Sequence, residues 1–211
     1  MKKLSLLFLF TTLFFLFFPE IDLKLANITY DAAKGFIWID QKFFRLVYKS
    51  LYVIVPGLTI IFFCAIILTL LFKRYCYLKK SIYLLLCFAI GPGLIVNVAF
   101  KENFGRARPA QIKQYGGDKN FTKIFQITNQ CQKNCSFTSG HAAVGFYFSA
   151  FSYIIKTNRI KKFIIIMSIL LGSILGLARI LQGAHFISDI VFSGIIVNLV
   201  NCYISKFFNK D

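Results

Sequence analysis

The stretch LYVIVPGLTIIFFCAIILTLLF, residues 51–72, runs for 22 positions without one charged side chain. A helix that crosses a bilayer needs roughly 17–25 mostly apolar residues, and this run meets that length alone. Comparable runs return at 81–100, 163–181 and 186–207, with shorter ones at 4–18 and 140–155. None shows the alternation of an outer-membrane barrel strand, so helices are the reading that satisfies every backbone group in lipid. The expectation is an all-α, polytopic membrane protein with six transmembrane helices. It is a single integral-membrane domain over 1–211, in which 1–50 supply the first span and an outer segment and 51–211 the main core. Gly91-Pro92-Gly93 should bend the third span.

Composition points the same way. Of 211 residues, 57% are hydrophobic, 26 are Phe and only 16% are charged, too few charges to keep a soluble globule of this size dissolved. That excludes a cytosolic enzyme, a secreted disulfide scaffold and a disordered tail. The net charge of +17 could suggest nucleic acid, but the 25 Lys and Arg are spread between apolar runs rather than gathered in basic blocks. The expected partner is the bilayer, not nucleic acid.

The charges then set orientation. With the N-terminus inside, the cytoplasmic side carries Lys2, Lys3, Lys73, Arg74, Lys79, Lys80, Lys156, Arg159, Lys161, Lys162, Lys206 and Lys210 against Asp211, a balance of +11 on short connectors. The outer side carries +6, spread over the long segments 19–50 and 101–139. Basic residues on short loops mark the inside, so both termini are expected in the cytoplasm. Lys2-Lys3 before an apolar run also fits a signal peptide, but Phe17-Phe18-Pro19-Glu20 offers no small-residue cleavage site, and the run is read as a retained span.

Ionisable residues at span ends are costly unless they have a use or a partner. Both histidines, His141 and His185, fall at the outer face, with Lys101, Arg108, Arg179 and Asp189. His185 and Asp189 are four apart and share a helix face, where the carboxylate could accept the Nδ1 hydrogen and leave Nε2 free as nucleophile or base. Thr138-Ser139-Gly140-His141 opens a predicted helix, whose free amides and dipole make an anion site that glycine lets an oxyanion approach. An N-cap explains Ser139 but not His141. In Lys101-Glu102-Asn103-Phe104-Gly105-Arg106-Ala107-Arg108-Pro109, a lysine point charge and an arginine fork suit different oxygens of one phosphoryl group. No cluster of His, Cys and carboxylates has metal-ligand spacing, so neither metal nor cofactor is expected.

In that order and spacing the three blocks resemble the type 2 phosphatidic acid phosphatase (PAP2) superfamily, whose signature is Lys-x6-Arg-Pro, Pro-Ser-Gly-His and Ser-Arg-x5-His-x3-Asp. Thr138 replaces the family proline and Ala178 the family serine, which removes one possible phosphate donor. Asn134-Cys135-Ser136-Phe137, Phe18-Pro19-Glu20-Ile21-Asp22 and Tyr30-Asp31 are similar to the bacterial lipid A phosphatase branch. The resemblance implies a PAP2-type helical core and a lipid phosphatase acting at the periplasmic face. His185 would form a phosphohistidine, oriented by Asp189, and His141 would act as general acid and base. Lys101, Arg108, Ser139, Gly140 and Arg179 would hold the phosphate. Lipid A is the favoured substrate, ahead of undecaprenyl diphosphate and phosphatidylglycerophosphate. A transporter or assembly factor would not be expected to gather both histidines with three cations at one face.

Cys131 and Cys135, alone among six cysteines, sit together in a polar outer segment. In an oxidising compartment a turn there would bring their Cα atoms within the roughly 4.4–6.8 Å that a bridge requires.

Overall fold

The structure is a computed structural model and describes residues 1–208; Lys210 and Asp211, counted in the charge balance, lie outside the described residues. Seven helices dominate it: α1 (Lys2–Phe17), α2 (Glu20–Asn27), α3 (Lys42–Leu71), α4 (Tyr75–Phe88), α5 (Gly140–Tyr147), α6 (Asn158–Leu181) and α7 (Ile187–Phe208). A short antiparallel hairpin, β1 (Tyr30–Asp31) and β2 (Gly35–Phe36), joins α2 to α3.

Four helical runs are long and apolar enough to cross a membrane: Lys42–Leu71, Tyr75–Phe100, Asn158–Leu181 and Ile187–Phe208. The other two expected spans are shorter. α1 has 16 residues and breaks by 77° into α2 at Phe18-Pro19, where proline ends one helix and starts the next. At about 1.5 Å per residue α1 covers ~24 Å, short of the roughly 30 Å hydrocarbon core. α5 is only eight residues long and tightens into a 3₁₀ turn over Phe148–Tyr153. The chain is therefore mostly helical with four candidate spans, or five if the bent α1–α2 pair counts as one.

The expected bend at Gly91-Pro92-Gly93 takes another form. From Ala89 to Phe100 the helix after α4 widens to π-helical bonding, ending with Lys101 N–H on the Val96 carbonyl at 3.2 Å, and Tyr75–Phe100 stays one helix. Pro92 lacks the N–H that an α-turn would use. The Asn97 side chain donates to the Pro92 carbonyl at 2.7 Å and steadies the wider turn.

α5 is the centre of the bundle, with all eight residues buried. It approaches α6 closely because Gly145 and Gly172 face each other; a Cβ on Gly145 would lie 2.5 Å from the Gly172 Cα. α7 packs on α5 from another side, and its apolar window is 61% buried against 6% for α3. α3 is thus the outer helix, with Ile60, Phe63 and Leu71 turned outward. At the other end, Phe137 meets Phe100, Phe104, Phe125 and Phe192 at 5.1–5.7 Å between ring centroids. That cluster seats the segment 101–139 on the helix ends and fixes the strand of chain that enters α5.

Candidate active site

The third motif block is bent into place by the end of α6. Gln182, Gly183 and Ala184 return their N–H groups to Ala178, Ile180 and Arg179, so the chain turns at once into α7. His185 sits in that turn, 1% exposed, and Asp189 lies in the first turn of α7, where a carboxylate suits the positive helix end. The His185 Nδ1 lies 2.8 Å from the Ser136 carbonyl oxygen. A carbonyl can only accept, so Nδ1 carries the hydrogen and Nε2 is the nitrogen with the free lone pair. Burial lowers the His185 pKa to about 3, with Asp189 opposing the shift, so the ring is neutral in ordinary buffers.

The expected role of Asp189 changes in detail. Its Oδ2 is 3.5 Å from His185 Nδ1, an ion-pair distance rather than a hydrogen bond. Oδ2 instead accepts from Ser136 Oγ at 2.5 Å and from Phe186 N–H at 2.9 Å, while Oδ1 accepts from Arg106 Nη1 at 2.6 Å. Ser136 therefore meets the pair twice, once with its carbonyl and once with its hydroxyl.

Arg106, Asp22 and Ser136 were not singled out by spacing. Arg106 is 1% exposed and uses all three nitrogens, donating to the Thr122 carbonyl, to Ser188 Oγ and Asp189, and to Asp22 Oδ2 at 2.8 Å. Its guanidinium lies 4.4 Å from the Phe186 ring centroid. The available signal was Arg106 itself, a third cation inside the first block, two residues before Arg108. Nothing local marks Asp22 as its partner 84 positions away.

The second block opens α5. Ser139 is its N-cap, with Oγ accepting from Ala142 N–H at a long 3.5 Å. At Gly140 a Cβ would lie 2.6 Å from the Asn97 Oδ1, so only glycine keeps the helix entrance open beside that amide. Thr138, in the family proline's place, is fully buried, and its Oγ1 has no hydrogen-bond partner among the described residues.

Two cavities of about 340 Å³ each adjoin these residues. One is lined by Lys101, Gly140, His141, Asn97 and Asn134, and has an apolar wall of Leu51, Val55 and Pro56. The other is lined by Arg108, Arg179, Arg45 and Gln182. Tyr48 of α3 borders both. Its ring stacks on His141 at 5.5 Å, its carbonyl oxygen is 3.2 Å from His141 Nε2, and the Arg179 guanidinium lies 4.8 Å from its ring centroid. Tyr48 is a fourth site residue that spacing did not mark.

The cations are held but not neutralised. Arg108 donates twice to the Asn134 carbonyl, at 3.2 and 2.7 Å. Arg179 donates through Nη1 to Gln182 Oε1, and its buried Nε has no partner among the described residues. Burial, with Arg108 and Arg179 nearby, lowers the Lys101 pKa to about 8. The structure thus gathers all eight expected residues at one end of the helices, around unfilled donors. Cys131 and Cys135 are joined by a disulfide with Cα atoms 5.6 Å apart, immediately before Ser136.

An apolar helical protein whose polar end combines a fixed neutral histidine with crowded cations belongs, as a class, with membrane proteins that handle anionic groups. The PAP2 superfamily pattern matches residues 82–211. The chain is 37% identical over 199 residues to the lipid A 4'-phosphatase of Francisella tularensis subsp. novicida (strain U112), covering 89% of this chain and 86% of that protein. It is 38% identical over 105 residues to the lipid A 4'-phosphatase of Rhizobium leguminosarum, covering 48% of this chain and 43% of that one. No solved structure matches. The chain belongs to the PAP2 superfamily, and it is a membrane phosphatase, a phosphoric monoester hydrolase.

Proposed function

We propose that this protein removes the 4'-phosphate of lipid A at the periplasmic face of the inner membrane, through a phosphohistidine on His185. One observation carries the phosphate site: the Arg179 Nε–H, a buried guanidinium donor with no acceptor among the described residues, beside Lys101 and Arg108. A buried unpaired donor is costly, and an anion of the size of a phosphoryl group satisfies it. The names of the relatives support lipid A and the 4' position.

Each step uses residues already placed. The phosphoryl oxygens take the Arg179 Nε–H, Arg108, Lys101, the Gly140 amide and the Ser139 hydroxyl, charges and dipoles fixed before the reaction begins. His185 Nε2 attacks phosphorus as the bond to the sugar oxygen breaks, and that oxygen takes a proton from His141 in its imidazolium form, which a bound phosphate anion favours, leaving His141 neutral. The ring, still carrying its Nδ1 hydrogen on the Ser136 carbonyl, becomes a cation beside Asp189. Neutral His141 then takes a proton from water, which attacks phosphorus; the P–N bond breaks and inorganic phosphate leaves.

In the membrane, α1 and the α5 run act as two short crossings beside the four long ones, giving six with both termini inside, in one domain over 1–211. The charge balance supports that orientation, and the Cys131–Cys135 bridge supports an oxidising outer compartment.

The test is detergent-purified protein with lipid A, read by mass spectrometry with fragmentation. Loss of one phosphate from the 4' sugar is expected. Release only from the 1 position, or only from undecaprenyl diphosphate, would replace the substrate while keeping the chemistry, and no release from any phospholipid would overturn the reading.

A further inference from the structure

The buried charges behind His185 do not end at Asp189. Arg106 lies between two carboxylates, Asp189 at 2.6 Å and Asp22 at 2.8 Å, and all three side chains are at most 2% exposed. Asp22 is the remote member. It belongs to α2, precedes the stretch matched by the superfamily pattern, and accepts from Ser188 N–H at 2.9 Å and Ser188 Oγ at 2.6 Å. Ser188 in turn accepts from Arg106 and adjoins Asp189 in α7.

Charge counting shows what Asp22 adds. Asp189 with Arg106 alone is a neutral pair, so a positive imidazolium formed beside it would be uncompensated. Burial and Asp189 push the Asp22 pKa up, but Arg106 and the two Ser188 donors all point at its oxygens and favour the carboxylate, and with it the cluster carries one unbalanced negative charge where interactions are weakly screened. That charge matches the cation created when His185 Nε2 takes the phosphoryl group and keeps its Nδ1 hydrogen. A neutral amide could not take its place without loss, because Asp22 accepts through both oxygens, from Ser188 N–H at Oδ1 and from Arg106 and Ser188 Oγ at Oδ2, and an amide has one acceptor oxygen.

We propose that Asp22 is a positioning residue for the His185–Asp189 pair: through Arg106 it orients Asp189, and it supplies negative charge behind the imidazole ring, which becomes formally positive when it carries the phosphoryl group. The inference rests on the phosphohistidine reading above. It places the N-terminal helix in the chemistry without contact to substrate, and it separates rate from binding, because none of the groups that hold phosphate touches Asp22.

The experiment uses the full chain in detergent with lipid A, and measures kcat, KM, competitive inhibition by inorganic phosphate, and phosphoenzyme trapped by alkaline quench. Asp22→Asn should lower kcat and the trapped phosphoenzyme by about 10- to 100-fold, less than the roughly 10²- to 10³-fold of losing a donor that touches the reacting group. KM and phosphate inhibition should stay within about twofold, and Asp22→Glu should recover part of the rate. Ser188→Ala, which loosens Asp22 but keeps its charge, should retain most of kcat. If Asp22→Asn does not fold, Ser188→Ala decides: loss of more than about tenfold in kcat, with the charge intact, would overturn the electrostatic role. Unchanged kcat in folded Asp22→Asn, or a fall matched by an equal weakening of phosphate inhibition, would overturn it as well. His185→Ala run in parallel keeps the two ideas apart. If it is inactive while Asp22→Asn is fully active, only this inference fails; if it turns over normally, the nucleophile reading fails first.

Discussion

The site has two walls of different origin. One is built from Lys101–Arg108, Ser136–His141 and Arg179–Asp189, where each functional group sits at a short, fixed spacing from the next. The other comes from residues 22–52, where Asp22 reaches Arg106 across 84 positions, Tyr48 reaches His141 across 93 and Asp22 reaches Ser188 across 166. The first wall supplies groups that can touch phosphate. The second sets the charge behind His185, covers the faces of His141 and Arg179, and lines part of both cavities through Arg45, Tyr48 and Leu51. Chemistry written in local spacing can be read from one sequence, whereas support assembled by the fold cannot.

The largest effects should fall on the first wall. His185→Ala is expected to abolish turnover, since it removes the proposed nucleophile. His141→Ala should cost about 10²- to 10⁴-fold, the usual worth of a general acid, and should let phosphoenzyme accumulate. Phosphate release by purified protein checks both. Undiminished release by His185→Ala would break the division between the walls at its centre.

Lys101 gives the next effect, in pH. Burial and its cationic neighbours hold its pKa down at about 8, so the free enzyme keeps the positive charge below that pH and loses it as pH rises through 8. The kcat/KM profile should therefore fall above about pH 8, approaching tenfold per unit if the neutral amine is inactive. Lys101→Arg should move that limb to higher pH even where it lowers the plateau, because guanidinium stays charged. A limb unmoved in Lys101→Arg would assign it to another group. The same shift makes Lys101 a small destabilising element: the folded state binds its proton less well than the unfolded chain, so this group's penalty is present at neutral pH and relaxes as pH rises from 8 towards 10.5.

Tyr48 tests the second wall. Its hydroxyl meets only Tyr52 Oη, at 3.0 Å, while its ring meets His141 and Arg179. Tyr48→Phe should stay within about twofold of the parent. Tyr48→Ala should lose up to about tenfold in kcat/KM, as expected for a cation–π contact of ~0.5–2 kcal/mol. Equal losses in both variants would shift the role from ring to hydroxyl.

How much was legible follows the same division. Long apolar runs marked four spans because lipid demands uninterrupted hydropathy, while α1 and α5 are shorter helices, since burial among other helices lets α5 be apolar without being long. The widened helix around Pro92 looked like a bend because sequence shows the missing N–H and not the Asn97 amide that compensates. All eight expected site residues meet at one end. Yet the Nδ1 partner of His185 is a carbonyl, Ser136, which no side-chain pattern announces. Asp22 and Arg106 lie within quoted motifs, Phe18–Asp22 and Lys101–Pro109, but nothing in those motifs gives either a role, and Tyr48 lies in a stretch read as an outer segment.

The smallest effect belongs where the two kinds of evidence meet, at the Cys131–Cys135 bridge. The ring it closes contains Asn134, whose backbone is left-handed at φ 52° and whose carbonyl holds Arg108. Asparagine tolerates that conformation better than most residues. The residue after Cys135 is Ser136, which holds both His185 and Asp189. The bridge thus ties one edge of the phosphate site to the nucleophile through a turn of five residues. A loop that short contributes about 2 kcal/mol through the unfolded chain, or roughly 4–8 °C in Tm for a chain of this size. Replacing both cysteines with serine should lower Tm by that amount and kcat/KM by about two- to fivefold. The fall should be modest because Ser136 and Asn134 keep their own hydrogen bonds. Reductant should reproduce it in the parent, whose other cysteines at 64, 76, 87 and 202 are unbridged. A loss as large as that of His141→Ala would mean that the loop is assembled by the bridge rather than steadied by it, and would move Asn134 and Ser136 from the locally written wall to the one the fold assembles.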